Sequence, residues 1–283
     1  MYAYPIGVLL ESFRMDWRDA LRQAKALGLS GVQIYATRGE FTPEAMTPQR
    51  RHELIAHLQE YGLTITALCG DLGKGFGDET LNPGLIEQSK RILELARQLG
   101  TDIVTTHIGV IPEDPAHPRY AVMQRACREL AAFADSMDAH FAIETGPERA
   151  QTLRAFLDTL DSRGVAVNLD PANFVMVTGD DPAEAVYTLR DYIVHTHAKD
   201  GRKLKDKDPE VIYGLLDEEL EAGDAFIELP LGQGDVDFKK YLKALEEIGY
   251  RGYLTIEREV GADPARDIAL AAGYLRSLWE QEG

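Results

Sequence analysis

Cysteine is scarce in this chain, with two in 283 residues. Two cysteines cannot build the dense disulfide framework of a small secreted domain. Cys69 ends the apolar run Ile65-Thr66-Ala67-Leu68 and Cys127 falls in a helical pattern, so both read as buried free thiols. Long apolar runs are missing too. No stretch approaches the ~18 apolar residues of a membrane span, and no basic-plus-apolar leader opens the chain. The expectation is a soluble, cytoplasmic protein without a membrane partner. Positive charge is the third shortage: 30 Lys and Arg face 47 Asp and Glu, for a net charge of −17. Such a surface repels phosphate backbones, which argues against nucleic acid as a partner. Internal repeats and low-complexity segments are not apparent.

What is present is an alternation of short apolar runs and helical patterns. Runs at 5–10, 31–35, 63–68, 102–107, 140–144, 165–170, 192–197 and 253–257 read as strands. Between them lie helical patterns at 16–28, 48–61, 82–100, 119–138, 151–163, 182–190, 238–248 and 263–279, with Asn82 as a candidate cap. Strict strand–helix alternation implies a parallel sheet. Eight such units predict an α/β fold, a closed (β/α)8 TIM barrel, as one domain over residues 1–283; barrels of about 250 residues are common. The connection after the seventh strand, at about 201–235, is long for a compact domain. It predicts some helix around Pro209–Leu220 and a functional lid.

Chemistry in such barrels sits at the C-terminal ends of the strands. There the chain places His107, Glu144, Asp170, His197 and Glu257. One carboxylate at a strand end can be a helix cap. Three carboxylates with two histidines at one mouth repel unless a cation joins them. Three carboxylates and one imidazole make a hard, oxygen-rich site suited to Mn²⁺, Mg²⁺ or Co²⁺, with Zn²⁺ also accepted. Period-two alternation puts both His195 and His197 on one strand face.

Three segments carry a resemblance: Gly252-Tyr253-Leu254-Thr255-Ile256-Glu257-Arg258-Glu259, His195-Thr196-His197-Ala198-Lys199-Asp200, and Leu231-Gly232-Gln233-Gly234-Asp235-Val236-Asp237-Phe238. They resemble motifs of the xylose-isomerase-like barrel superfamily, which includes sugar isomerases and epimerases, inosose dehydratase and endonuclease IV. The resemblance spans essentially the whole chain. It implies metal ligation by Glu144, Asp170, His197 and Glu257. His197, two residues before Lys199-Asp200, matches the family histidine, which leaves His195 as a packed or supporting residue. It also implies homo-oligomers, as dimers or tetramers occur in the family. Where ketose epimerases carry a histidine three residues after the strand-six Asp, this chain has Asn173.

The function expected is a metal-dependent isomerase or epimerase on a sugar, keto-sugar or polyol, through an enediolate. Glu144 and Glu257 would be its acid and base. A dehydratase on a keto-inositol or keto-sugar is the alternative, with Lys199 protonating a leaving oxygen. A non-catalytic sugar-binding barrel would have lost a ligand, and all four are present. A three-metal nuclease is disfavoured by Asn173, by the lack of histidine at Gly234–Asp237 and by the net charge. His107, Asn173, Arg258 and Phe76 are expected to bind substrate, Phe76 as a cover over the sugar ring. Trp17 and Tyr35 read equally as core or sugar-stacking residues, and Arg258 and Glu259 as a pair at the rim. Gly232-Gln233-Gly234, with Arg202, Lys203 and Lys205 near, could take a phosphate, although a plain turn before a helix capped by Asp235 or Asp237 fits better.

Overall fold

A computed structural model describes residues 2–215 and 224–280. Its strands are β1 (Ile6–Leu9), β2 (Gly31–Tyr35), β3 (Thr64–Cys69), β4 (Ile103–Thr106), β5 (His140–Glu144), β6 (Val165–Leu169), β7 (Ile193–Ala198), β8 (Asp200–Lys203), β9 (Phe226–Leu229) and β10 (Leu254–Ile256). Eight of them close a parallel barrel in the order β1-β10-β7-β6-β5-β4-β3-β2. β8 and β9 form a separate antiparallel hairpin. The fold is therefore the (β/α)8 barrel that the alternation predicts. Its strands are buried on both faces, which is why they read as near-continuous apolar runs.

The helices are α1 (Trp17–Ala26), α2 (Pro48–Tyr61), α3 (Asn82–Leu99), α4 (Pro118–Asp135), α5 (Ala150–Asp158), α6 (Pro171–Asn173), α7 (Pro182–Leu189), α8 (Pro209–Ile212), α9 (Phe238–Glu247) and α10 (Pro264–Glu280). Local signals explain their starts. Asp16, Thr47, Asp181 and Asp237 each accept an amide hydrogen bond from the first turn of the helix that follows. Asn82 does not cap α3. Leu81 holds that position, and the Asn82 amide instead donates to the Phe76 carbonyl at 3.1 Å. Among the described residues no helix is long and apolar enough to cross a membrane. Cys69 and Cys127 are both buried and free.

The long connection differs from its expected form. It leaves the barrel as β8, turns through the one-turn helix α8, and returns as β9. Of the helix expected around Pro209–Leu220, Pro209–Ile212 is helical, and 216–220 lie outside the described residues. The first strand of the hairpin has no apolar signal, because Gly201-Arg202-Lys203 is polar throughout; the run Phe226-Ile227-Glu228-Leu229 has one but lacks a visible partner. After β6 the chain forms α6 and a π-helical turn at Phe174–Thr178, where no helix was expected. Such turns are frequent beside functional sites.

Candidate metal centre and its polar wiring

Four strands deliver one side chain each to a common point at the barrel mouth. Glu144 ends β5, Asp170 follows β6, His197 lies in β7 and Glu257 follows β10. Each offers a ligand atom within 4.8 Å of the others, and all four residues are buried. Nδ1 of His197 lies 3.6 Å from Glu144 Oε1, 3.6 Å from Asp170 Oδ2 and 3.3 Å from Glu257 Oε2.

Asp170 serves two purposes. Its Oδ1 caps α6, accepting from the amides of Ala172 at 2.8 Å and Asn173 at 3.2 Å. Its Oδ2 is buried without a hydrogen-bond partner, and so is Nδ1 of His197. Two orphaned buried ligand atoms facing each other are costly unless something joins them. A hard divalent cation suits this donor set of three carboxylates and an imidazole.

Beneath the cluster runs a hydrogen-bond network across the barrel interior. Gln33 Nε2 donates to Thr105 Oγ1 at 2.8 Å, which turns Gln33 Oε1 toward His197 Nε2 at 2.9 Å. In the neutral ring that contact puts the proton on Nε2 and turns the Nδ1 lone pair to the cluster, the tautomer a metal ligand needs. Asn168 Oδ1 accepts from His195 Nδ1 at 2.8 Å, and Asn168 Nδ2 donates to Glu144 Oε2 at 3.3 Å. Nε2 of His195 then accepts from Thr255 Oγ1 at 3.0 Å. Burial and the neighbouring His197 hold His195 well below the usual histidine range, so it is neutral. His195 thus supports Asn168, one layer below the ligands.

Replacing Gln33 by Leu removes the acceptor that fixes His197. We expect Mn²⁺ affinity, measured by calorimetric titration, to fall about 10–100-fold. Unchanged affinity would detach Gln33 from the metal centre.

Charge is dense around the cluster. Burial alone would lower the His197 pKa, but the Glu257 and Glu144 carboxylates outweigh it and hold the ring well above its ordinary value. Burial would raise Glu257, but Lys199 and His197 pull it far below the usual carboxylate range. Lys199 Nζ donates to Glu257 Oε2 at 3.0 Å and to Glu259 Oε2 at 2.5 Å. Despite burial, Glu257, Asp170 and Glu259 keep Lys199 charged. His107 sits at the edge of the cluster, its Nδ1 3.4 Å from Asp71 and its Nε2 3.8 Å from Glu144. Burial is opposed there by Glu144 and Asp71, and the pKa rises to about 9.

A cavity of about 260 Å³ opens above these groups. Glu144, His197, Glu257, Lys199, His107 and Asn173 all line it, as does Tyr35. Asn173 donates to Glu144 Oε1 at 3.3 Å and to the Thr145 carbonyl at 3.0 Å. Ile212, Tyr213, Phe226 and Glu228 of the long connection reach the same cavity, with the Tyr213 ring 5.9 Å from that of His107.

Two expected substrate contacts are not brought there. Phe76 is buried edge-on to Phe141 and does not line the cavity, because its amide is tied down to the Ile108 carbonyl; it is a core aromatic. Arg258 is also off the cavity. Its buried guanidinium needs anionic partners, and it binds Glu228 at 2.6 Å and Asp267 at 2.8 Å, not Glu259. Trp17 likewise packs in the core against Phe41 and His57. Sequence reasoning missed Gln33, Asp71, Tyr213, Glu228 and Glu259. Gln33 had a visible signal, a polar residue between Val32 and Ile34 inside an apolar strand. Tyr213 and Glu228 had none, since only the folded hairpin carries them back over the mouth.

The family model of xylose isomerase-like TIM barrels matches residues 21–278. A protein of Escherichia coli provisionally named L-ribulose-5-phosphate 3-epimerase is 22% identical, over 100% of this chain and 99% of its own. An inosose dehydratase of Clostridium perfringens is 29% identical over 126 residues, 44% of this chain and 40% of that one. Among solved structures, a xylose isomerase domain protein from Planctomyces limnophilus superposes with a TM-score of 0.79 at 26% identity, covering 99% of this chain and 98% of that one.

Proposed function

Because the chain belongs to the xylose isomerase-like TIM barrel family, we propose that it is a divalent-metal-dependent epimerase or isomerase of a keto-sugar or related polyol, working as one barrel domain. The observation that carries this reading is the four-residue cluster with its two orphaned atoms, Asp170 Oδ2 and His197 Nδ1. Glu144, Asp170, His197 and Glu257 would hold the ion, with Mn²⁺ or Mg²⁺ favoured by three carboxylate donors. Bound there, the cation supplies positive charge toward the oxygens of a substrate carbonyl and its neighbouring hydroxyl.

The chain's own residues move the proton. Glu144 and Glu257 approach the mouth from β5 and β10, separated around the barrel by β6 and β7. A sugar carbon between them presents one face to each. One carboxylate takes the proton beside the carbonyl, the C–H pair passes into the enediolate, and the other carboxyl returns a proton to the opposite face. Lys199 keeps Glu257 ionised between turnovers. Asn168 and Asn173 orient Glu144 through hydrogen bonds to its two oxygens.

A dehydratase is supported by the part-length likeness to inosose dehydratase and by Lys199, whose charged Nζ stands beside Glu257. In that reaction the same enediolate expels a β-hydroxyl, which takes a proton from Lys199 and leaves as water.

Mn²⁺-loaded protein in D₂O should wash deuterium into one carbon of a keto-sugar or inosose, followed by NMR. A product of unchanged mass apart from deuterium indicates epimerisation or isomerisation; loss of water indicates the dehydratase. A panel of such compounds showing no exchange would sink both readings.

A further inference from the structure

We infer that the substrate of this site is uncharged, a keto-sugar or polyol derivative without a phosphate; this rests on the proton-transfer reading above. The full-length relative named for a sugar phosphate makes the contrary expectation reasonable. Phosphate recognition by proteins uses backbone amide nests and unpaired cations. Near this mouth one such nest and four cations are already paired with the chain's own carboxylates.

The nest is the turn at Gly232–Gly234. The amides of Gly232 and Gly234 donate to Asp200 Oδ2 at 2.9 and 3.0 Å, and those of Gly201 and Val236 to Asp200 Oδ1 at 2.9 and 3.2 Å. Asp200 is buried and fills the place an anion would take. The fit is close: a Cβ on Gly234 would fall 2.1 Å from Asp200 Oδ1.

The cations are committed in the same way. Arg202 binds Asp235 at 2.9 Å and Lys203 binds Asp206 at 2.6 Å. Lys205 is not free either. Arg258 is held by Glu228 and Asp267, and Lys199 by Glu257 and Glu259.

The wall that remains is acidic. Asp71, Glu228 and Glu259 line the cavity beside the ligand carboxylates Glu144 and Glu257. Asp71, Glu144, Asp170, Glu228, Glu257 and Glu259 still outnumber, by one charge, a divalent ion, Lys199, a protonated His107 and the Arg258 that Glu228 holds. A phosphate dianion meets like charge on this wall, whereas sugar hydroxyls donate to carboxylates and accept from the Tyr35 and Tyr213 hydroxyls that line the cavity.

The test uses full-length, Mn²⁺-loaded protein and matched pairs: D-ribulose with its 5-phosphate, D-xylulose with its 5-phosphate, and D-fructose with its 6-phosphate. Binding is read by saturation-transfer NMR and turnover by deuterium exchange. The free sugar should be preferred at least about 100-fold in kcat/KM in each pair that reacts. Glu259→Gln should narrow that gap about tenfold by raising kcat/KM for the phosphate ester. Turnover of a phosphate ester as fast as its free sugar overturns the inference and leaves the proton-transfer reading intact. Binding of free sugars alone, without exchange, upholds the inference and removes the proposed reaction. An unchanged gap in Glu259→Gln overturns the acidic wall as its cause.

Discussion

Glu257→Gln should lower deuterium exchange by about 10³-fold or more, because general acid–base catalysis alone contributes about 10²–10⁴-fold and this carboxylate is also a candidate ligand. Glu144→Gln should do the same. The two roles separate experimentally. A glutamine oxygen can still meet a cation, so each variant is assayed at saturating Mn²⁺ with bound metal measured alongside. A variant that holds metal and has lost exchange places the defect in proton transfer. Full exchange in either would remove that residue from the chemistry. Lys199→Met gives a useful third point. Without Nζ at 3.0 Å, Glu257 loses the first of the two cations that keep it ionised. Its pKa should rise, and the acid limb of the pH–rate profile should move to higher pH. If Lys199 also protonates a leaving oxygen, dehydration falls further than proton exchange does.

Stripping the metal should cost several degrees of thermal stability, and Mn²⁺ should restore it. A ligand present at 100 times its dissociation constant adds about 2.7 kcal/mol to folding. For a chain of 283 residues, that corresponds to roughly 4–5 °C in Tm. Asp170→Ala should abolish the Mn²⁺-induced shift, since Asp170 Oδ2 is one of the two cluster atoms with no other partner. A shift that survives in Asp170→Ala would move the metal elsewhere. The gain also depends on pH in a stated direction. Without metal, the carboxylates hold His197 protonated well above the ordinary histidine value. A cation on Nδ1 must displace that proton. Mn²⁺ affinity therefore rises with pH through neutrality, and calorimetry in buffers of different ionisation enthalpy should register proton release on binding.

The convergence of Glu144, Asp170, His197 and Glu257 was legible in the sequence because each ends or directly follows an apolar strand, and barrel topology gathers such ends on one face. His197 was separable from His195 only through the resemblance. Alternation alone puts both on the same side, and the folded chain confirms it, with their rings 5.7 Å apart. Arg258 and Phe76 misled for a shared reason. Each stands near a strand end or glycine-rich loop, but direction is set by partners distant in sequence, Glu228 for one and Phe141 for the other. The β8–β9 hairpin was hidden because its ladder pairs residues such as Gly201 and Glu228 across a stretch with no strand-like alternation.

The polar wiring below the mouth shapes how this barrel can diverge. Two hydrogen-bonded sets, Thr105–Gln33–His197 and Asn168–His195–Thr255, tie β4, β2 and β7, and β6, β7 and β10, through contacts sealed from water. Changing any one of them orphans a buried neighbour, so its effect depends on what the others are. Tyr213 and Phe226, on the hairpin side, have no place in that chain and can be exchanged one at a time. Double substitutions beneath the mouth should therefore be strongly non-additive, whereas substitutions in the strap above it should act singly.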